Sequence, residues 1–374
     1  MQQVSGGLTS LVLGASLLIT GCAALDKPSR SLPVSGELAE TANELRTDGA
    51  PAVGLAVVSC SGGNQAIVGL RQVDGDAIAG PNSLFNTGSN GKSMLAVAAI
   101  SLAAKGGFSL DDPIERLWPE SVAGREDKKR ITLAQLLSHE SGMPAFDSGS
   151  ELSTVPAFSG SATEIRRQAA FYFLGQPLVS VPGAKVAYSN AGYVVASALL
   201  EHVTGMALTQ ILDKQVFEPF GFNGRIGEPR AVSPDGLVGH YVNDGKLVPY
   251  LDTDPPVPPF LQGAGYISLT TSDYARYVQV HLCGLLGRSA ILSQASAKIL
   301  HGRDRDDHVG LGWGVTELGG SLVSFHVGGT GDFTAYMAVS EAQDKAAIAV
   351  LNVGGAPASA AQRWLIATMT PAEE

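Results

Sequence analysis

Residues Phe85–Met94 read FNTGSNGKSM, and two different chemistries fit parts of that stretch. Gly91-Lys92-Ser93 resembles the end of a phosphate-binding loop, whereas Ser89 with Lys92 three residues later resembles a nucleophile and its base. A phosphate loop needs G-x-x-x-x-G-K-[ST], which requires a glycine where this chain has Asn86. It also needs a buried parallel strand running straight into the loop, and the preceding VDGDAIAGPNSLF is not one. The nucleotide reading therefore fails. In the serine reading, Ser89 opens the apolar run MLAVAAISLAAKGG, expected to be a buried helix closed by Gly106-Gly107. Lys92 is one turn further on, so both side chains share a helix face. A helix N-terminus favours an alkoxide at Ser89, and a desolvated lysine can be neutral and take the serine proton. Taken alone, S-x-x-K reads rather as an N-cap serine and a surface lysine, since short motifs recur by chance.

The rest of the chain bounds the choice. With 374 residues, 45% of them apolar, it can bury a sizeable core as one large or two modest domains. A net charge of −10, with no basic stripe, argues against nucleic acid as a partner. No Cys/His spacing suits zinc and there is no HExxH, so neither metal nor cofactor is expected. Near the start, LTSLVLGASLLITGC is a short apolar run ending in a small residue and a cysteine, the pattern of a secretory h-region. Ile19-Thr20-Gly21-Cys22 resembles a bacterial lipoprotein signal. That resemblance implies a signal over 1–21, lipidation of Cys22, a linker over 22–35, and an exported, membrane-anchored envelope protein. The alternative is a plain signal peptide with an incidental cysteine. Cys60 and Cys283 remain, either as one disulfide or as two separate buried thiols.

Strands open and close the sequence. VGLAVVSC and QAIVGLRQV flank SGGN as an antiparallel hairpin, and SLVSFHVGG, FTAYMAVS and KAAIAVLNVGG are β-rich, with EAQD as a turn. GELAETANELRTDG near the start and ASAAQRWLIATM at the end have helical spacing. Between about 110 and 300 the chain is mostly helical, with TLAQLLSHESGMP, AGYVVASALLEHVTGM and TSDYARYVQVHLCGLLG among its clearest pieces. An antiparallel sheet assembled from both ends, beside a helical lobe, is the simplest α+β architecture.

Two further segments change the standing of Ser89. YSNAGY gives Tyr188-Ser189-Asn190 just before an apolar helix, and FHVGGTGDF places His326, Gly328 and Gly329 on a late strand. A second Tyr-x-Asn, Tyr241-Val242-Asn243, lacks the following helix and reads as a polar turn. In the order Ser-x-x-Lys, Tyr-x-Asn, His-x-Gly, the chain resembles the serine β-lactamase and penicillin-binding-protein superfamily. Within it, the likeness is to class C β-lactamases and their esterase and D-aminopeptidase relatives. LAQLLSHESGMP, AYSNAGYVVASALLEHVTG, GAGYISLTTSDYARYV and VGLGWGV extend it over almost the whole chain after residue 36.

The resemblance implies a β-lactamase/transpeptidase-like fold over 36–374. Its five-stranded antiparallel sheet would come from about 36–105 and 310–374, flanked by the terminal helices, with a helical lobe over about 106–309. Ser89 would be the nucleophile, Lys92 and Tyr188 would share base and acid duty, and Asn190 would orient Lys92 and the substrate. The backbone N–H groups of Ser89 and Gly329, with Gly328 beside them, would bind the oxyanion. The third motif departs from the Lys-Thr-Gly of β-lactamases. Here His326 is mostly neutral near pH 7 and Val327 has no donor, which favours the esterase, amidase and D-aminopeptidase branch. His326 would position Lys92 or accept a bond from substrate. His139 is expected to be structural and Glu140 solvated, while Tyr336 and Trp313 belong to the core or line a pocket. Three activities remain open. The first is an ester or amide hydrolase acting on a small ester, amide or D-amino-acid peptide. The second is a β-lactamase or D-alanyl-D-alanine carboxypeptidase, and the third a non-catalytic ligand-binding protein.

Overall fold

The computed structural model describes residues 32–371 apart from 48, 252–255 and 356–357. The signal segment, Cys22 and most of the linker lie outside the described residues. An antiparallel sheet of six strands forms the frame: β1 (Ala52–Ser59), β2 (Gly62–Gly69), β3 (Gly314–Leu318), β4 (Ser321–Gly329), β5 (Thr334–Ser340) and β6 (Lys345–Leu351). Their order is β2-β1-β6-β5-β4-β3, so the first hairpin pairs with the last strand, Val53 opposite Leu351.

Alternation along the strands separates two cores. Val53 and Leu55 of β1, with Ala347, Ala349 and Leu351 of β6, pack on one face against α1 (Gly36–Thr47) and the C-terminal helix Ser359–Met369. Ala52, Ala56, Ile348 and Val350 face the other way, into the larger core containing Phe85, Met94 and Tyr274. The central strands are buried on both faces, hence their near-continuous apolar sequence. The helix α2 (Gly91–Ala104) is buried nearly all round, matching its uniformly apolar sequence.

The sheet has one strand more than the sequence suggested. The extra strand, β3, is an edge strand, joined to β4 by Gly319-Gly320, both at positive φ. Thr316 and Glu317 face solvent, so β3 lacks the apolar alternation that marks a half-buried strand. The helix Thr271–Leu285, which the sequence grouped with the helical region, lies against the sheet, its Tyr274, Ala275 and Val278 in the core shared with β1 and β6. Glu140 is a second correction. It is 8% exposed, accepts from Ser138 Oγ at 2.7 Å, and takes both Arg305 Nη atoms at 2.9 and 3.0 Å. Arg305 is 165 positions away, which no local reading of the sequence connects to it.

Cys60 and Cys283 form a disulfide, Cα to Cα 5.1 Å, tying the β1–β2 turn to the helix Thr271–Leu285. It closes a loop of 223 positions. Cys60→Ser is expected to lower unfolding stability by about 2–4 kcal/mol, read as a lower urea midpoint, with a steeper slope because the unfolded chain without the cross-link exposes more surface. An unchanged midpoint would contradict a bonded pair.

Candidate active site

The loop before α2 is fixed before any chemistry begins. Thr87 donates both its N–H and its hydroxyl to Ile267 O, each at 2.8 Å, and Gly88 N–H donates to Asn86 Oδ1 at 2.9 Å. Gly88 has φ +51°, and a Cβ there would lie 2.6 Å from Gly329 N. A Cβ on Gly328 would meet Thr87 O at 2.0 Å. The glycines that weaken the end of β4 thus let the strand edge close directly on the Ser89 loop. Asn90, fully buried, donates to Ala335 O of β5 at 3.2 Å and bonds the Tyr274 hydroxyl, holding the helix start on the sheet.

Ser89, Lys92, Tyr188 and Asn190 meet at this point. Lys92 Nζ is 2.9 Å from Ser89 Oγ, 2.7 Å from Asn190 Oδ1 and 2.6 Å from Ala264 O. Tyr188 OH is 2.7 Å from Ser89 Oγ. Asn190 opens the helix Asn190–Thr204, capped by Ser189 Oγ, which accepts from Gly192 N–H at 2.9 Å. Its Nδ2 donates to Phe146 O at 3.0 Å, so its Oδ1 must face Lys92. Lys92 is 0% exposed and Tyr188 38%. Burial drives Lys92 well below the usual lysine range, against a smaller upward pull from the Asp147 carboxylate. Burial pushes Tyr188 up to about 12, partly offset by its bond to Ser89.

These directions set the proton inventory. A neutral amine has two N–H donors and one lone pair. Asn190 Oδ1 and Ala264 O take the two donors, which leaves the lone pair directed at Ser89 O–H. Tyr188 stays protonated at neutral pH and can donate.

Two histidines flank this group. His139, at φ +62°, accepts from Ser189 N–H through Nδ1 at 3.1 Å, and its ring lies 4.6 Å from that of Tyr188. It has the backbone-bonding role expected of it, and it also braces Tyr188. His326 Nδ1 pairs with Gly312 O at 2.8 Å, so Nδ1 carries the proton and Nε2 is an acceptor. Burial, with Lys92 adding, pushes His326 down to about 4. Behind Gly312, Trp313 is packed on a buried pair, His281 Nδ1 and His301 Nε2, 2.9 Å apart. Burial lowers His301 and takes His281 to about 3.

Of the chain's seven histidines, the four at or behind this site, His139, His281, His301 and His326, have folded values below the unfolded one of about 6.5. The unfolded chain therefore binds more protons as pH falls, and stability is lost from about pH 6.5 downward. The melting temperature is expected to fall on acidification through that window, less steeply in a His281→Leu/His301→Leu variant. Equal slopes would remove the buried pair from the account.

Tyr241 and Asn243 sit apart, exposed on a two-stranded hairpin, His240–Asn243 against Lys246–Pro249. Tyr336 is core, its hydroxyl donating to Ala358 O at 3.2 Å, while Trp313 is 4% exposed and also lines a cleft. Sequence reading did not find the carbonyls of Ala264, Phe146 and Gly312. Their peptides fell within GAGY, the stretch after SGMP, and GLGWGV, but a carbonyl has no residue-type signal. Among the described residues no group of three His, Cys, Asp or Glu side chains could hold a metal ion.

The family model for beta-lactamase matches residues 40–368. A beta-lactamase of Escherichia coli K12 is 29% identical over 235 residues, 62% of this chain and 57% of that protein. Penicillin-binding protein 4 of Amycolatopsis lactamdurans is 24% identical over 251 residues, 62% of this chain and 61% of that one. The match thus spans about three fifths of the length of these curated relatives. Among solved structures, the octameric penicillin-binding protein homologue from Pyrococcus abyssi superposes with TM-score 0.73 at 21% identity, covering 90% of this chain and 78% of that one. D-amino acid amidase from Ochrobactrum anthropi, complexed with L-phenylalanine amide, superposes with TM-score 0.67 at 22% identity, over 85% and 91% of the two chains. At these identities the structural likeness establishes the fold.

Proposed function

The chain belongs to the beta-lactamase family, and from that premise we propose that it is a serine hydrolase cleaving ester or amide bonds through an acyl-enzyme on Ser89. The observation that carries this reading is the buried amine of Lys92, its donors held by Asn190 Oδ1 and Ala264 O and its remaining contact made with Ser89 Oγ. Lys92 takes the Ser89 proton as Oγ attacks the carbonyl carbon. The oxyanion forms against the N–H groups of Ser89 and Gly329, beside Gly328. Tyr188 gives its proton to the leaving atom, and the proton held by Lys92 restores it. Water then attacks the acyl-enzyme, giving up a proton to Lys92, and Ser89 Oγ leaves the acyl carbon as it takes that proton back from Lys92, restoring the hydroxyl and the neutral amine. The opposite directions of Lys92 and Tyr188 support this division into base and acid. His326, neutral and with Nε2 as acceptor, orients substrate.

Turnover of p-nitrophenyl butyrate or D-phenylalanine amide by the whole chain would support the reading, and turnover of neither would count against it. A chromogenic cephalosporin separates the β-lactamase alternative. With neutral His326 and donor-less Val327 at the third motif, we expect hydrolysis of it to be slower than of the ester. We also propose that the chain is exported and anchored through Cys22, and the Cys60–Cys283 disulfide supports an oxidising compartment. Palmitate labelling that persists in Cys22→Ser would refute the anchor.

A further inference from the structure

Beside Tyr188 and His326 the surface opens into a cleft of about 390 Å³, within the size range of small-molecule sites. Val186, Val309, Trp313 and Val315 contribute to its walls. Val315 pairs with Ser324 across the β3–β4 edge, and Ser324 and His326 are two residues apart on one strand. Cross-strand partners and i, i+2 neighbours share a sheet face, so the Val315 side chain stands on the His326 side.

The charges in this cleft are as informative as its shape. No lysine or arginine lines it among the described residues, and Asp307 is the only carboxylate. Asp307 is already held by Arg305, through Nε at 2.9 Å and Nη2 at 2.7 Å, while the same guanidinium binds Glu140. Arg305 is thus committed to two carboxylates. The imidazole of His326 is neutral at physiological pH. His139, whose protonation burial disfavours, and His308, whose Nδ1 pairs with Gly302 O at 3.1 Å, also line the cleft. A substrate carboxylate here would shed water, meet no lysine or arginine and face Asp307.

We infer that this cleft receives the leaving-group portion of the substrate, and that this portion is uncharged and largely apolar: an alcohol or amine without a carboxylate. The inference rests on the serine hydrolase reading. Tyr188, which protonates the leaving atom, lines the cleft, so the departing group lies on that side of the scissile bond.

Two butyrate esters test it, 3-methylbutyl butyrate and the butyrate ester of 3-hydroxypropanoate, in which a carboxylate replaces the isopropyl end. Butyrate release is followed chromatographically for the whole chain, wild type and the variants Ser89→Ala, Val315→Lys and Val309→Lys. The wild type is expected to favour the branched alcohol in kcat/KM by about 100-fold, the scale of one unpaired charge at a binding site. Either lysine variant is expected to shrink that ratio by about tenfold or more, mainly through KM of the charged ester. The two variants lie on different segments, so a folding failure in one leaves the other to decide. Equal wild-type rates, both abolished by Ser89→Ala, would overturn the apolar cleft and leave the nucleophile standing. A preference unmoved by both lysine variants would place selectivity elsewhere and also overturn it. Rates that survive Ser89→Ala would overturn the nucleophile, and this inference with it.

Discussion

Ser89→Ala is expected to lower kcat/KM on p-nitrophenyl butyrate by about a million-fold, the scale at which a serine nucleophile is lost. The effect is large because no other hydroxyl can take over. Tyr188 OH touches the same oxygen, but burial holds its proton on to about 12. The fold should be indifferent to the change. Ser89 Oγ makes contacts with Lys92 and Tyr188, and its removal still leaves Lys92 bonded to Asn190 and Ala264. The melting temperature is therefore expected to match the wild type while activity disappears. Activity within about tenfold of wild type would mean that the acyl group never rests on Ser89.

Lys92→Met should cost about 100- to 10,000-fold, the range for loss of a positioned base. Methionine keeps most of the volume and no amine. It leaves Ala264 O and Asn190 Oδ1 without their buried donor, so a stability loss of about 1–3 kcal/mol accompanies the rate loss. The pH profile separates the two effects. On the proposed mechanism, activity in the wild type requires neutral Lys92 and protonated Tyr188. The rate should rise with pH as Lys92 deprotonates, well below its ordinary value, and fall only toward about 12 as Tyr188 ionises. Lys92→Met should lose the rising limb. A variant that keeps it would assign the limb, and the base, to another group.

The sequence made the chemistry more legible than the framing. Ser89 lies in the short 3-10 turn Gly88–Asn90 that runs straight into α2, not in α2 itself, and Lys92 is in the first turn of α2, so a near-helical period alone puts them together. Asn190 and His326 are far away in sequence and became readable only through family motifs. Groups that act through the backbone carried no signal. Any residue type could supply the Ala264 or Gly312 carbonyl. Glu140 was misread because its partner, Arg305, lies in a distant polar run that reads as an ordinary solvated loop. The sixth strand was missed for the opposite reason. An edge strand is held by its neighbour's ladder, so its own sequence need not alternate. The disulfide stayed open because both cysteines have apolar neighbours, and only the packing of the helix Thr271–Leu285 on β1 brings them together.

The most direct test is covalent. The whole chain is incubated with a fluorophosphonate ester and digested with trypsin, and the peptide spanning residues 72–92 is sequenced by mass spectrometry. The account predicts one equivalent of adduct on Ser89, not on Ser83 of the same peptide, and no adduct in Ser89→Ala. An adduct on any other residue, or none on a folded chain that hydrolyses p-nitrophenyl butyrate, would contradict it.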